Sequence, residues 1–265
     1  MYNVRVKYFY DSVQVQHFGV PVSSFRDDFD TFSGEIFEHE SGELIENPFT
    51  GEAERVKVLP DDEKEPERDY SLESRKRSVN IIYDIARANF WDWFLTFTFS
   101  PEFLDRYNYV ECSRKLSQWL NNMKKRGNSD MRYLVVPEMH KDGAFHFHGL
   151  FANCDGMNFV ESGKRDKHSR IIYNVGRYNW GFTTATRVSD SGSSAGYLCK
   201  YVTKELIGVT FGKKRYWASR NCARPEIEDL YITDDLMEWL GSVGADVKYI
   251  KQVQTPYNRV TYVEV

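Results

Sequence analysis

Residues 137–151 read PEMHKDGAFHFHGLF, a stretch that places three of the chain's six histidines and one glutamate within fifteen positions. Successive side chains on a β-strand point to opposite faces. Alternation therefore sends Phe145, Phe147 and Phe151 toward a core and stands His146 and His148 together on the other side. The connection Lys141-Asp142-Gly143 has the form of a three-residue hairpin loop, a type I turn followed by a glycine in the left-handed region. That loop sets His140 opposite Ala144 and Glu138 opposite His146, so the carboxylate joins the histidine face. Directly opposed residues have Cβ atoms about 5 Å apart, and His148 lies two positions further along the strand. Two imidazoles and a carboxylate can then close on a single ion while coordination positions stay open for substrate. Nitrogen and oxygen ligands without thiolate suit Mn²⁺ or Mg²⁺ acting on phosphate, with Zn²⁺ or Fe²⁺ as further choices. His140, beside the turn, reads as a solvated neighbour.

The flanking sequence supplies the rest of a sheet. WDWFLTFTFS (residues 91–100) alternates, with Leu95, Phe97 and Phe99 on one face and Thr96 and Thr98 on the other. An amphipathic helix precedes it, with Ser71 as N-cap, Val79, Ile82 and Ile85 on one stripe and Arg75, Lys76 and Arg77 on the other side. A second helix follows, in which Val110, Leu116, Trp119, Leu120 and Met123 recur at helical spacing up to Gly127. Strands are expected over 131–139 and 144–151, then a basic loop, GKRDKHSR (residues 163–170), a hairpin region over 170–187, and one helix from about Ser193 to Ile207. The order predicts an α+β fold, a central antiparallel β-sheet with packed helices.

Charge divides the chain. The net charge is −4, yet residues 1–70 carry −10, residues 71–224 carry +11 and residues 225–265 carry −5. A strongly basic segment between acidic flanks fits a phosphate-binding surface. The chain thus reads as an N-terminal β-rich extension (1–60), a charged linker (61–70), a catalytic domain (71–224) and an acidic C-terminal extension (225–265). Cys112, Cys154, Cys199 and Cys222 form no Cys-x-x-Cys pair, which speaks against a disulfide framework or a thiolate zinc site. No apolar run approaches a membrane span and no signal peptide is evident, so an intracellular protein without a membrane partner is expected. A phosphate-binding glycine-rich loop of the ATPase kind is also lacking.

SSAGYLCKYVTKELIG (residues 193–208) carries Tyr-x-x-Lys twice, as Tyr197 with Lys200 and Tyr201 with Lys204. Four residues apart on a helix, the two tyrosines share a face. A phenol, whose pKa lies near 10, becomes a nucleophile at neutral pH only where a cation favours its phenolate. Attack on a phosphodiester would then give a phosphotyrosine link and a free 3′-hydroxyl. Further along, Lys164, Arg165, Lys167 and Arg170, with Lys213, Lys214, Arg215 and Arg220 around Tyr216 and Trp217, supply cations for phosphates and aromatics for unpaired bases.

FLTFTFS (94–100), then HFHGL (146–150) with Glu138 eight residues ahead of its first histidine, then YLCKYVTK (197–204), together resemble the three motifs of rolling-circle replication initiators, the HUH endonucleases. The resemblance runs over roughly residues 71–224, and the paired tyrosines are similar to those of initiators from isometric single-stranded DNA phages and bacterial plasmids. It implies an RRM-like, ferredoxin-like core, a divalent ion on Glu138, His146 and His148, and Tyr197 and Tyr201 as nucleophiles assisted by Lys200 and Lys204. It further implies nicking and rejoining of a single-stranded DNA origin in the cytoplasm of a bacterial host, with a host helicase and DNA polymerase machinery as partners. Single-tyrosine relaxases and transposases of the same superfamily, and a non-enzymatic RRM-like nucleic-acid-binding module, are the alternatives. A double-stranded-barrel dioxygenase fits less well, because its glutamate normally follows the H-x-H pair, whereas the first acid after His148 is Asp155.

Overall fold

The computed structural model describes residues 1–23, 43–46, 53–56, 70–127, 129–189, 191–210, 212–255 and 257–265. In chain order the first elements are β1 (Tyr2–Tyr8), β2 (Val13–Val22), β3 (Glu43–Glu46), β4 (Ala53–Val56), α1 (Tyr70–Arg87), β5 (Trp93–Phe99) and α2 (Tyr109–Lys125). The middle of the chain gives β6 (Arg132–Met139), β7 (Phe145–Ala152), β8 (Phe159–Arg165), β9 (Ile171–Val175), β10 (Gly181–Arg187), α3 (Ser191–Cys199) and α4 (Lys204–Val209). The last are β11 (Trp217–Ala218), β12 (Glu226–Leu230), α5 (Leu236–Ser242), β13 (Tyr249–Gln254) and β14 (Arg259–Glu264). They make an α+β protein with two large antiparallel sheets, and β3 and β4 pair only with each other. No described helix is long and apolar enough to cross a membrane. Most of the linker expected over 61–70 lies outside the described residues, and α1 already includes Tyr70, so Ser71 sits inside the helix rather than capping it.

One unit draws on both ends of the chain. Its sheet runs β12-β1-β2-β14-β13, so strands from the N-terminal and C-terminal extensions hydrogen-bond in one ladder. Val4, Val6, Val15 and Val263 pack with Leu236 and Leu240 of α5, while Tyr2, Phe18, Val260 and Tyr262 form a second cluster. Arg5, nearly buried, reaches Asp229 through two hydrogen bonds of 2.7 and 2.9 Å, a forked pairing that joins β1 to β12.

The other unit carries the quoted hairpin. Its seven strands are ordered β11-β6-β7-β5-β10-β9-β8. On one face Leu95, Phe97, Phe99, Phe147 and Phe151 are buried against Leu116, Trp119, Leu120 and Met123 of α2. The helix starts where the Asn108 side chain accepts hydrogen bonds from the backbone N–H groups of Val110 and Glu111. Val110, expected on the apolar stripe, is 57% exposed, because it lies in the first turn on the solvent side. On the opposite face Leu134, Val136 and Leu150 are buried, with α3 over β7 and α4 over β6. α1 lies against α3 and α4, and its expected stripe Val79, Ile82 and Ile85 is buried. The seven-strand unit holds all four cysteines, of which Cys112, Cys154 and Cys199 are buried and Cys222 half-buried, all as free thiols.

Two expectations change. The basic stretch 163–170 is not simply a loop, since β8 extends through Arg165 and only the residues after it turn. The helix expected over 193–207 is two helices. After Cys199 the chain tightens into i to i+3 hydrogen bonds, Lys200 N to Tyr197 O and Val202 N to Cys199 O, and α4 restarts with Thr203 as N-cap, its side chain accepting from Leu206 N.

Candidate active site

The hairpin forms with the register its loop dictates. Gly143 takes φ +87°, its N–H donates to the carbonyl of His140, and Glu138 stands opposite His146. β5 lies on the other side of β7 with Thr98 opposite His146 and Thr96 opposite His148. The result is two polar rows across the sheet. Glu138, His146 and Thr98 form the first, and His148 and Thr96 the second, between Val136 and the exposed Thr184 of β10.

Each imidazole is oriented from below by a threonine. Thr96 Oγ1 lies 3.0 Å from His148 Nδ1, and Thr98 Oγ1 lies 3.4 Å from His146 Nδ1. With Nδ1 engaged in both rings, Nε2 is the nitrogen presented away from β5. His148 Nε2 meets Glu138 Oε2 at 2.7 Å. His148 is 6% exposed, and its pairing with Glu138 holds that carboxyl below the usual carboxylate range against the opposing effect of burial. Burial lowers the pKa of His146, which favours the neutral, ligating form of its ring. The His140 ring stacks on His146 with centroids 5.3 Å apart, and its Nδ1 lies 3.2 Å from Asp142 Oδ1.

The tyrosines close the site from above. The Tyr201 ring lies parallel on His148, with centroids 3.7 Å apart and planes 8° apart. Tyr197 meets Tyr201 edge-on at 5.4 Å and Phe94 at 5.2 Å. Tyr197 is 45% exposed. Burial raises the pKa of the Tyr201 phenol, and its hydrogen bond with Tyr197 and the nearby Glu138 carboxylate raise it further. Because the helix breaks after Cys199, the two tyrosines do not share one continuous helical face. Tyr197 sits on α3 and Tyr201 in the turn beyond it, where Arg75 Nε of α1 donates to the carbonyl of Val202 at 2.9 Å and so pins the turn. Lys200 is half-buried and makes no side-chain hydrogen bond or ion pair among the described residues, while the Lys204 side chain lies outside them.

Glu138, His146 and His148 therefore share a face, and their donors, two imidazole nitrogens and a carboxylate oxygen, suit a divalent ion in chemical type. As the side chains stand, no three His, Cys, Asp or Glu groups among the described residues converge as a metal cage, because Glu138 and His148 are hydrogen-bonded to each other.

The basic residues expected to hold DNA fall into two places. Lys164, Arg165, Lys167 and Arg170 are exposed on and after β8, at one edge of the sheet. Asp166 orders that turn, accepting from the backbone of His168 and Arg170 and from Arg170 Nε at 2.7 Å. Lys213, Lys214 and Arg220 are exposed on either side of β11, the opposite edge, six strand spacings or roughly 29 Å away. Tyr216 is half-buried, and Arg215 is held in the fold by Thr210 Oγ1 and Ser74 Oγ. Trp217 is not placed to stack on a base. It is 3% exposed, edge-on to Phe147, with its indole N–H donating to Ser117 Oγ at 2.9 Å. Trp217→Ala is expected to cost about 3–5 kcal/mol of stability, as a large aromatic lost from a core does. A urea midpoint close to that of wild type would show the ring to be dispensable to packing.

Thr96, Thr98, Phe94 and Arg75 are parts of the site that sequence reasoning left without a role. The alternation of FLTFTF already placed the two threonines on the histidine face, but their service to the imidazoles depends on β5 lying beside β7, which local pattern does not encode.

The comparisons agree with this geometry. No curated protein and no solved structure matches the chain. A family model of replication-associated proteins of the ORF2 type matches residues 92–206, a span that holds Thr96, Thr98, Glu138, His146, His148, Tyr197 and Tyr201. Over that span, which runs from the start of β5 into α4, the chain is similar to replication-associated proteins, in keeping with an initiator of rolling-circle replication.

Proposed function

We propose that the protein is an HUH-type replication initiator of the two-tyrosine kind, which nicks single-stranded DNA at an origin, keeps the 5′ end on a tyrosine and later rejoins the strand. The observation that carries this reading is the assembly of Tyr197 and Tyr201 over the Glu138, His146 and His148 face, with Tyr201 stacked on His148. Glu138, His146 and His148 would hold a divalent ion, Mn²⁺ or Mg²⁺, once the Glu138–His148 hydrogen bond opens. Such an ion, when bound, offsets the charge that gathers on the non-bridging phosphate oxygens.

In the nicking step a tyrosine Oη forms a bond to phosphorus and the bond from phosphorus to the 3′-oxygen breaks. The phenolic proton passes to solvent, and the departing 3′-oxygen takes up a proton to become a hydroxyl. Rejoining reverses these events, with the 3′-hydroxyl attacking the phosphotyrosine. The buried Tyr201 phenol, its pKa raised, remains protonated at neutral pH in the structure described, so its activation has to accompany arrival of the phosphate and its cation. Thr96 and Thr98 keep both rings turned with Nε2 toward that phosphate, and Arg75 fixes the turn that presents Tyr201. Lys200, beside both tyrosines in sequence, is the cation assigned to help their ionisation, with Lys204 in the same role.

The test is cleavage of an origin-strand oligonucleotide in Mn²⁺. The expected products are a fragment with an extendable 3′-hydroxyl and a slower-migrating protein-linked fragment, both suppressed by a chelator. Binding without any cleavage would instead favour a non-enzymatic single-strand binder.

A further inference from the structure

The histidine face of the seven-strand sheet is covered only in part. On β6 and β7 its residues Leu134, Val136 and Leu150 are buried. Beyond β5 the cover ends. Phe182 of β10 stands directly opposite Thr98, which stands opposite His146, which stands opposite Glu138, so the four share one row on one face. Phe182 is 71% exposed. Its neighbour on that face, Thr184, is exposed too, as is Asn174 on β9. Phe182 is held in this register by Gly181, where a Cβ would lie 2.1 Å from the carbonyl oxygen of Thr98 and where φ is +148°, a value that L side chains rarely adopt.

A single exposed phenylalanine is ordinary on a protein surface. This one is set apart by its place. It lies two strand spacings, about 10 Å, from His146, on the open continuation of the row that contains the proposed metal ligands. The sheet that carries it belongs to the part of the chain with a net charge of +11, the electrostatic complement of a polyanion. Every base has a π-face, so an exposed ring in a basic setting accepts bases without regard to sequence.

The geometry points to Phe182 as a stacking platform for an unpaired nucleotide of the single-stranded DNA substrate, positioning the adjoining phosphate at the His146 and Glu138 end of the row. Phe182 touches no reacting atom in this assignment and acts as a positioning residue. The assignment rests on the reading of the site as a single-strand nicking centre, deepens it by giving the strand a seat on the sheet, and assigns the ring no base preference.

The test is the dissociation constant of the full chain for a fluorescein-labelled single-stranded oligonucleotide at fixed salt, together with cleavage of the same strand. Phe182→Ala is expected to weaken binding about tenfold, the scale of one lost base stack, with its thermal midpoint unchanged because the side chain is exposed. Phe182→Trp is expected to restore affinity, and its added indole fluorescence to be quenched when the strand binds. Wild type that binds and cleaves, with Phe182→Ala equal to it in both, would overturn the platform while leaving the nicking centre intact. Wild type that neither binds nor cleaves single strands would overturn both. Loss of affinity in Phe182→Ala that Trp fails to restore would also count against stacking.

Discussion

The double replacement Tyr197→Phe/Tyr201→Phe is expected to lower cleavage of single-stranded DNA by about 1,000-fold or more, the scale on which a covalent mechanism fails when its nucleophile is removed. The substitutions are conservative in shape. Phenylalanine at 201 keeps the parallel stack on His148, and phenylalanine at 197 keeps the edge-on contacts with residue 201 and Phe94, so the fold and the orientation of the imidazoles survive while both hydroxyls are lost. Each single variant retains one phenol at the site and should still form one covalent link. The measurement is the initial rate of nicking, with circular dichroism as the control for folding. Full activity in the double variant would assign the nucleophile elsewhere.

The second large effect concerns the ligand face. Glu138→Gln keeps the volume of the side chain but removes its charge, and His148→Ala removes a ring that Thr96 orients and Tyr201 covers. Each is expected to weaken Mn²⁺ binding by at least about 100-fold, more than the loss of a group that only orients a ligand, and to lower nicking in parallel. Titration calorimetry with Mn²⁺ alone reads the affinity without reference to catalysis. His140→Ala serves as the comparison. His140 stacks on His146 from beside the turn and bonds to Asp142, so its loss should change Mn²⁺ affinity by far less. Equal losses in His140→Ala and His148→Ala would mean that the ligand set has been drawn wrongly.

What the sequence made legible was local. The three-residue loop with Gly143 determined which residues of β6 and β7 oppose each other, and the period of two in FLTFTF and FHFHGLF separated core side chains from polar ones. Those two facts bring Glu138, His146 and His148 to one face before any long-range contact is known. The break after Cys199 was harder to see, because Tyr197 and Tyr201 fit a helical spacing. Thr203, however, carries the signature of a new N-cap, accepting from Leu206 N after the β-branched Val202. The grouping of cations failed for a different reason. Residues 164–170 and 213–220 both read as basic, and only the strand order shows that they sit at opposite edges of the sheet. Strand order also explains why Trp217 passed for a base-stacking aromatic, since β11 pairs with β6 and turns the indole into the core. Nor could alternation reveal that the two acidic ends of the chain share one sheet, in which Arg5 meets Asp229 across more than two hundred residues of sequence.

The most direct measurement is peptide mass spectrometry of the protein after incubation with origin-strand oligonucleotide and Mn²⁺. The account predicts a nucleotide-modified peptide that contains Tyr197 or Tyr201, at a yield that collapses when Glu138 is changed to Gln. An adduct on any other residue, or unmodified tyrosines alongside a cleaved strand, would contradict it.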